Sequence, residues 1–114
     1  MRGDLIEART ELEEAFSTPL FLLFKHSPLC PTSARAFAEY TAFLQENPLE
    51  SGWIHVVQGR PLALLVAERT GVPHESPQAL FLQAGRVLWH ASHAGVTASA
   101  LEEALRAARA QSGS

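Results

Sequence analysis

A second cysteine is missing from this chain: Cys30 is the only thiol in 114 residues. No internal disulfide can form, and no Cys-x-x-Cys pair is available for dithiol redox chemistry. One unpaired thiol suits a reducing compartment. Lysine is equally rare, with Lys25 alone against eight arginines, and the formal net charge is −3. No basic run exists, so no nucleic-acid partner is expected. Long apolar runs are also absent. A run such as Leu20–Phe24 is far too short to span a bilayer. The N-terminal stretch Met1–Glu14 is charged and lacks the apolar segment of a signal peptide. These absences predict a cytoplasmic protein with no membrane partner. There is no Gly-rich phosphate loop, nucleophile elbow or paired-carboxylate constellation. What remains is a length and an apolar fraction suited to one domain over residues 1–114, with a modest core and a flexible end at 111–114.

The N-terminal stretch admits two readings. One is a single helix from Asp4 to Phe16 with Leu5, Ala8, Leu12 and Phe16 on one face. The other is a short strand at Leu5–Ala8, then a helix capped by Thr10. Leu20–Lys25 reads as a central strand buried on both faces. Pro31 suits the first position of a helix running to Glu46, with Cys30 as its N-cap. The apolar face expected there is Ala34, Phe37, Thr41 and Leu44, flanked by Tyr40 and Phe43. Gly52–Gln58 reads as a strand with Ile54 and Val56 on one side. A short helix follows Gly59-Arg60-Pro61 and stops at Gly71. Gln78–Leu82 and Arg86–Ala91 form a hairpin about Gln83-Ala84-Gly85. The last helix opens at Thr97 or Ser99 and runs to Ala110. The order (β)αβαβαββα predicts an α/β fold, a small mixed four- to five-stranded sheet with helices on both faces.

Cys30 stands where the central strand hands over to a helix N-terminus. Unpaired N–H groups and partial positive charge gather there. They favour thiolate, the nucleophilic form of cysteine. Three residues on, where a dithiol enzyme has its second cysteine, stands Ser33. A serine hydroxyl pointing to solvent is the simplest reading, and it cannot resolve a disulfide. Pro28 and Pro31 punctuate the loop and shape the approach to the thiol.

A strand, a reactive cysteine at a helix start, a crossover and an X-Pro before a hairpin resemble the thioredoxin arrangement. Pro77 matches the proline that faces the thiol in that fold, cis in thioredoxins and glutaredoxins. If cis, the Ser76 backbone would present its polar groups to a bound thiol. Pro28-x-Cys30-x-x-Ser33 resembles monothiol glutaredoxins, though Pro31-Thr32 replaces their Gly and aromatic residue. A closer resemblance spans nearly the whole chain. Phe21-Leu22-Leu23-Phe24-Lys25-His26-Ser27, Cys30-Pro31-x-Ser33, His74-Glu75-Ser76-Pro77-Gln78 and Trp89-His90-Ala91-Ser92-His93 together resemble the YtxJ-type monothiol bacilliredoxins.

That resemblance implies a thioredoxin-like fold and a monothiol thiol–disulfide oxidoreductase acting through Cys30. It implies removal of bacillithiol from protein mixed disulfides. Bacillithiol is then co-substrate, bacillithiolated proteins are clients, and no tightly bound cofactor is needed. Pro31, Thr32, Ser33, Ser76, Pro77, Lys25 and His26 are the candidate residues for the bound thiol. Lys25 would attract a carboxylate of the small thiol, or is an ordinary surface lysine. His26 would polarise the site, or is a strand-end histidine in water. Glu75 is expected to point away from the thiol. His90-x-x-His93 with Cys30 could supply three zinc ligands, but nothing turns that pair toward Cys30 and no metal is expected. Two other functions stay open: a non-catalytic redox sensor or adaptor, and an iron–sulfur carrier, which Pro31 disfavours.

Overall fold

The computed structural model describes residues 1–112. In chain order the elements are β1 (Asp4–Leu5), α1 (Arg9–Ser17), β2 (Phe21–His26), α2 (Pro31–Glu46), β3 (Ser51–His55), α3 (Arg60–Thr70), β4 (Gln78–Gln83), β5 (Arg86–Ser92) and α4 (Ala98–Ser112). A short 3-10 turn at His93–Gly95 joins β5 to α4. The sheet order is β1-β3-β2-β4-β5. β1, β3 and β2 run parallel, while β4 is antiparallel to both β2 and β5.

The period of two along β2 divides the core. Phe21 and Leu23 enter one cluster with Leu12, Phe16, Ile54, Val66, Leu80 and Leu82. These come from α1, α3 and the same face of β3 and β4. Leu22 and Phe24 enter the opposite cluster, with Tyr40 and Phe43 of α2, Phe81, and Leu101 and Leu105 of α4. All six residues of β2 are buried: the apolar run through Phe24, as expected of a central strand, and beyond it Lys25 and His26.

Several expectations shift on contact with the fold. The N-terminus takes the strand-then-helix reading, but the strand is only Asp4–Leu5 and the N-cap is Ala8, not Thr10. The Glu11 carboxylate reaches back from the first turn to accept the Glu7 and Ala8 N–H groups, which fixes the entry to the helix. The core face of α2 is Ser33, Ala36, Tyr40 and Phe43, rotated by about one residue from the expected face. Ala34 is exposed and Phe37, Thr41 and Leu44 are half-buried. Burial of the polar Ser33 sets this phase, which an apolar count alone misplaces. β3 ends three residues early because His55 Nδ1 accepts the Val57 and Gln58 N–H groups and turns the chain. α4 runs past Ala110 to Ser112, so residues 111 and 112 are helical. Residues 113–114 lie outside the described part. The hairpin turn places Ala84 and Gly85 at positive φ, and a Cβ at Gly85 would meet the Phe16 carbonyl oxygen at 3.1 Å. Among the described residues no helix is long and apolar enough to cross a membrane.

Candidate active site

The C-terminal ends of β2 and β3 and the N-terminus of α2 meet at one end of the sheet. Cys30 is the N-cap of α2, with φ −100° and ψ 121°, and Pro31 occupies the first turn. The Cys30 N–H donates to the Ser27 carbonyl at 3.0 Å, closing a tight turn over Pro28 and Leu29. The Ser33 and Thr32 backbone N–H groups, helped by the Thr32 hydroxyl, hold the Cys30 thiol below its ordinary range, against burial. The thiol is partly exposed, and the neighbouring Leu29 is 96% exposed. An incoming sulfur therefore meets Cys30 at the surface. A cleft of 330 Å³ lined by Arg2, Thr41, Leu44 and Pro48 lies toward the other end of α2.

Ser33 departs from the sequence expectation. Its hydroxyl does not point to solvent; the residue is fully buried. The Ser27 N–H donates to Ser33 Oγ at 2.8 Å. Ser33 Oγ is also 2.8 Å from His26 Nδ1. With two lone pairs and one hydrogen, Oγ accepts the Ser27 N–H and pairs with Nδ1 as donor or acceptor according to the ring's tautomer. His26 is likewise buried. Its ring stacks on Phe37 at 4.3 Å between centroids and meets Trp53 edge-on at 5.5 Å. Burial, then His55, holds His26 below the usual imidazole range, so it stays neutral. The alternative of a strand-end histidine in water is excluded. The ring is a packed member of the wall behind the Cys30 loop.

Lys25 is fully buried, not a surface lysine. Its amine donates to His74 Nδ1 at 3.1 Å and so reaches a carboxylate of a small thiol only through rearrangement. Burial draws its pKa from 10.5 to about 8, with Glu75 opposing. In the sheet Lys25 pairs with Gln78. One antiparallel step further sets Pro77 beside the His26 end of β2, at the same end as Cys30. The Ser76–Pro77 peptide is cis.

Arg35, His74 and His93, none of them among the residues expected to meet the bound thiol, complete the surroundings. Arg35 donates to the carbonyls of Val96 and His93, each at 3.0 Å, tying the first turns of α2 to the 3-10 turn. The His93 N–H donates to the Pro77 carbonyl at 3.0 Å, and its ring meets Glu75 at 2.9 Å. The Glu75 carboxylate is thus turned to His93. His74 and His93 stood in the quoted sequence blocks, which was the available signal; Arg35 carried none. Among the described residues no three of His, Cys, Asp and Glu gather as a metal site, so His90, His93 and Cys30 do not converge.

The sequence model of the monothiol bacilliredoxin BrxC family matches residues 5–101. The chain belongs to this family. A solved structure described as a proposed oxidoreductase with a thioredoxin fold is similar at 30% identity. The match covers 90% of this chain and 93% of that one, with a TM-score of 0.84. Mitochondrial thioredoxin 3 from Saccharomyces cerevisiae matches at 12% identity, over 92% and 93% of the two chains, with a TM-score of 0.71. A thioredoxin mutant from Halobacterium salinarum matches at 17% identity, over 92% and 89%, with a TM-score of 0.73. The last two carry the fold alone. As a bacilliredoxin-family chain of thioredoxin fold, the protein has a thiol redox role, and Cys30 is its sole thiol.

Proposed function

We propose that this bacilliredoxin-family protein removes bacillithiol from mixed disulfides on client proteins. The observation that supports this most is Cys30 itself: a partly exposed N-cap thiol, held toward thiolate by the Ser33 and Thr32 N–H groups. The Cys30 thiolate attacks the bacillithiol sulfur. The client–bacillithiol bond breaks, its electron pair leaves on the client sulfur, and that thiolate takes a proton from water. A new disulfide joins Cys30 to bacillithiol. A second bacillithiol thiolate then attacks that disulfide, leaves as oxidised bacillithiol, and frees Cys30. A moderately lowered pKa serves both steps, because it raises the thiolate fraction without blunting nucleophilicity and makes Cys30 a fair leaving group. Thr32 and Ser33 act through their N–H groups, Pro31 fixes the helix start, and the Ser76–Pro77 backbone receives the bound thiol. His26 supports the loop. The cytoplasm, where such thiols stay reduced, is the setting.

The test is intact mass after incubation with a bacillithiolated protein and, separately, a glutathionylated one. Expected is a Cys30 adduct and a freed client in the first case, and neither with Cys30→Ser, whose hydroxyl stays protonated. Release of bacillithiol by Cys30→Ser would refute the mechanism. Equal action on the glutathionylated client would refute the specificity.

A further inference from the structure

Exchange at Cys30 makes no direct use of the chain's only lysine, yet that lysine is fully buried in the central strand. It shares a face with Phe21 and Leu23, where an apolar residue would continue the core. An ammonium there is unfavourable unless it is hydrogen-bonded, so its partner shows what it holds. That partner is His74 Nδ1, at 3.1 Å. An ammonium can only donate, so Nδ1 is the acceptor and His74 is neutral with its proton on Nε2. Burial, Lys25 and Arg60 all hold His74 below the usual imidazole range, while Glu75 opposes them.

His74 lies in the segment 71–77, which carries no helix or strand and links α3 to β4. Such a segment has no ladder of its own and is located by its ties. Gln78 Nε2 donates to the Pro73 carbonyl at 3.1 Å. His93 holds the far end through Glu75 and Pro77. Lys25 holds the middle, and it reaches there from the strand that leads directly into the Cys30 loop. The charged and titratable groups acting on this pair are Glu75 from the segment and Arg60 from the start of α3. Gln78, across the sheet on β4, adds only a neutral amide.

We propose that Lys25 is a positioning residue: by donating to His74 from inside the central strand it fixes the segment 71–77, and so sets where Ser76 and Pro77 stand for the sulfur partner arriving at Cys30. The anchoring stands on geometry alone; its consequence for turnover rests on the thiol-exchange reading above.

Three variants separate anchoring from mere packing. Lys25→Met keeps the length and removes the donor. His74→Ala removes the acceptor. His74→Asn keeps an acceptor near the Nδ1 position. Amide hydrogen exchange read by mass spectrometry over residues 71–77 should quicken about tenfold in Lys25→Met and His74→Ala, the scale of one hydrogen bond to a charged group. The sheet and α2 should stay protected, and His74→Asn should stay near wild type. With a bacillithiolated peptide, the first two variants should raise KM more than they lower kcat, and His74→Asn should restore KM. Unchanged exchange at 71–77, or quickening spread over the whole chain, would overturn the proposal. So would a KM unmoved in both donor- and acceptor-deleted proteins that turn over. A wild type inactive on the peptide refutes the functional reading instead, and the exchange measurement then decides the anchoring by itself.

Discussion

Lys25→Met should make the protein more stable near neutral pH, although it deletes a hydrogen bond. The folded protein draws the Lys25 pKa from 10.5 to about 8, chiefly by burial, with the Glu75 carboxylate opposing. At about 1.36 kcal/mol per unit, that fall is worth about 3 kcal/mol against the charged folded state. An unfolded lysine keeps its proton up to about pH 10.4, and the folded one releases it at lower pH. Between the two values the unfolded state binds more protons, so the wild type gains stability as pH rises. The penalty is full below the folded value and gone above the unfolded one. Methionine fills similar volume without charge, so at pH 7 the variant should lead by up to about 3 kcal/mol, less the lost bond to His74 and any misfit of the thioether. The lead should shrink between pH 8 and 10.5, because only the wild type has a penalty to lose. Cys30 titrates nearby but is present in both proteins and cancels. Urea unfolding followed by Trp53 and Trp89 fluorescence across pH 7 to 10.5 reads both quantities. A variant less stable than wild type at pH 7, or a lead unchanged over that range, would refute the reasoning.

Alkylation of Cys30 by iodoacetamide should show an inflection below the free-thiol value of about 8.5, because the Ser33 and Thr32 N–H groups favour thiolate; an inflection at or above that value would rule out an activated thiol. Ser33→Ala should lose about 1–3 kcal/mol in urea unfolding, since it strands the Ser27 N–H and His26 Nδ1 behind the loop. A loss within error of zero would show that those bonds contribute nothing. Burial keeps folded His26 neutral, whereas the unfolded ring takes a proton near pH 6.5, so stability should fall as pH drops below about 6.5. His26→Gln should flatten that slope, and identical slopes would disprove the assignment.

The fold was largely legible because its signals are local and redundant. The unbroken apolar run of β2, the Pro31 start of α2, the Gly71 stop of α3 and the Ala84-Gly85 hairpin each declare themselves within a few residues. Phase and polarity were harder to read. The core face of α2 was misplaced because Ser33, a polar residue, belongs to it, and its burial depends on Ser27 and His26, six and seven residues away. The ends of β3 and α1 turned on side chains, His55 and Glu11, that replace backbone partners. Cys30 was legible from its helix-start context. Lys25 was not, because its His74 partner is 49 residues distant and reaches it only through the β2–β4 pairing. Arg35 carried no pattern at all, since its acceptors are backbone carbonyls in a turn 58 and 61 residues away.

Ser33 shows how one position can make the site monothiol without being idle. Its backbone N–H faces the Cys30 sulfur and favours thiolate. Its side chain turns the other way, into the core, where it accepts the Ser27 N–H and engages His26. A thiol placed there would be a much weaker acceptor and would loosen the very loop that presents Cys30. The serine is thus tied to the architecture as well as being an absent nucleophile. With no second thiol on the chain, a mixed disulfide at Cys30 has no internal route to resolution. Resolution must come from a thiol outside, and the partly exposed Cys30 beside the outward Leu29 leaves that approach open. In the proposed exchange the second step is then bimolecular, so its rate should rise with the concentration of the external thiol, while that of the first should follow the client.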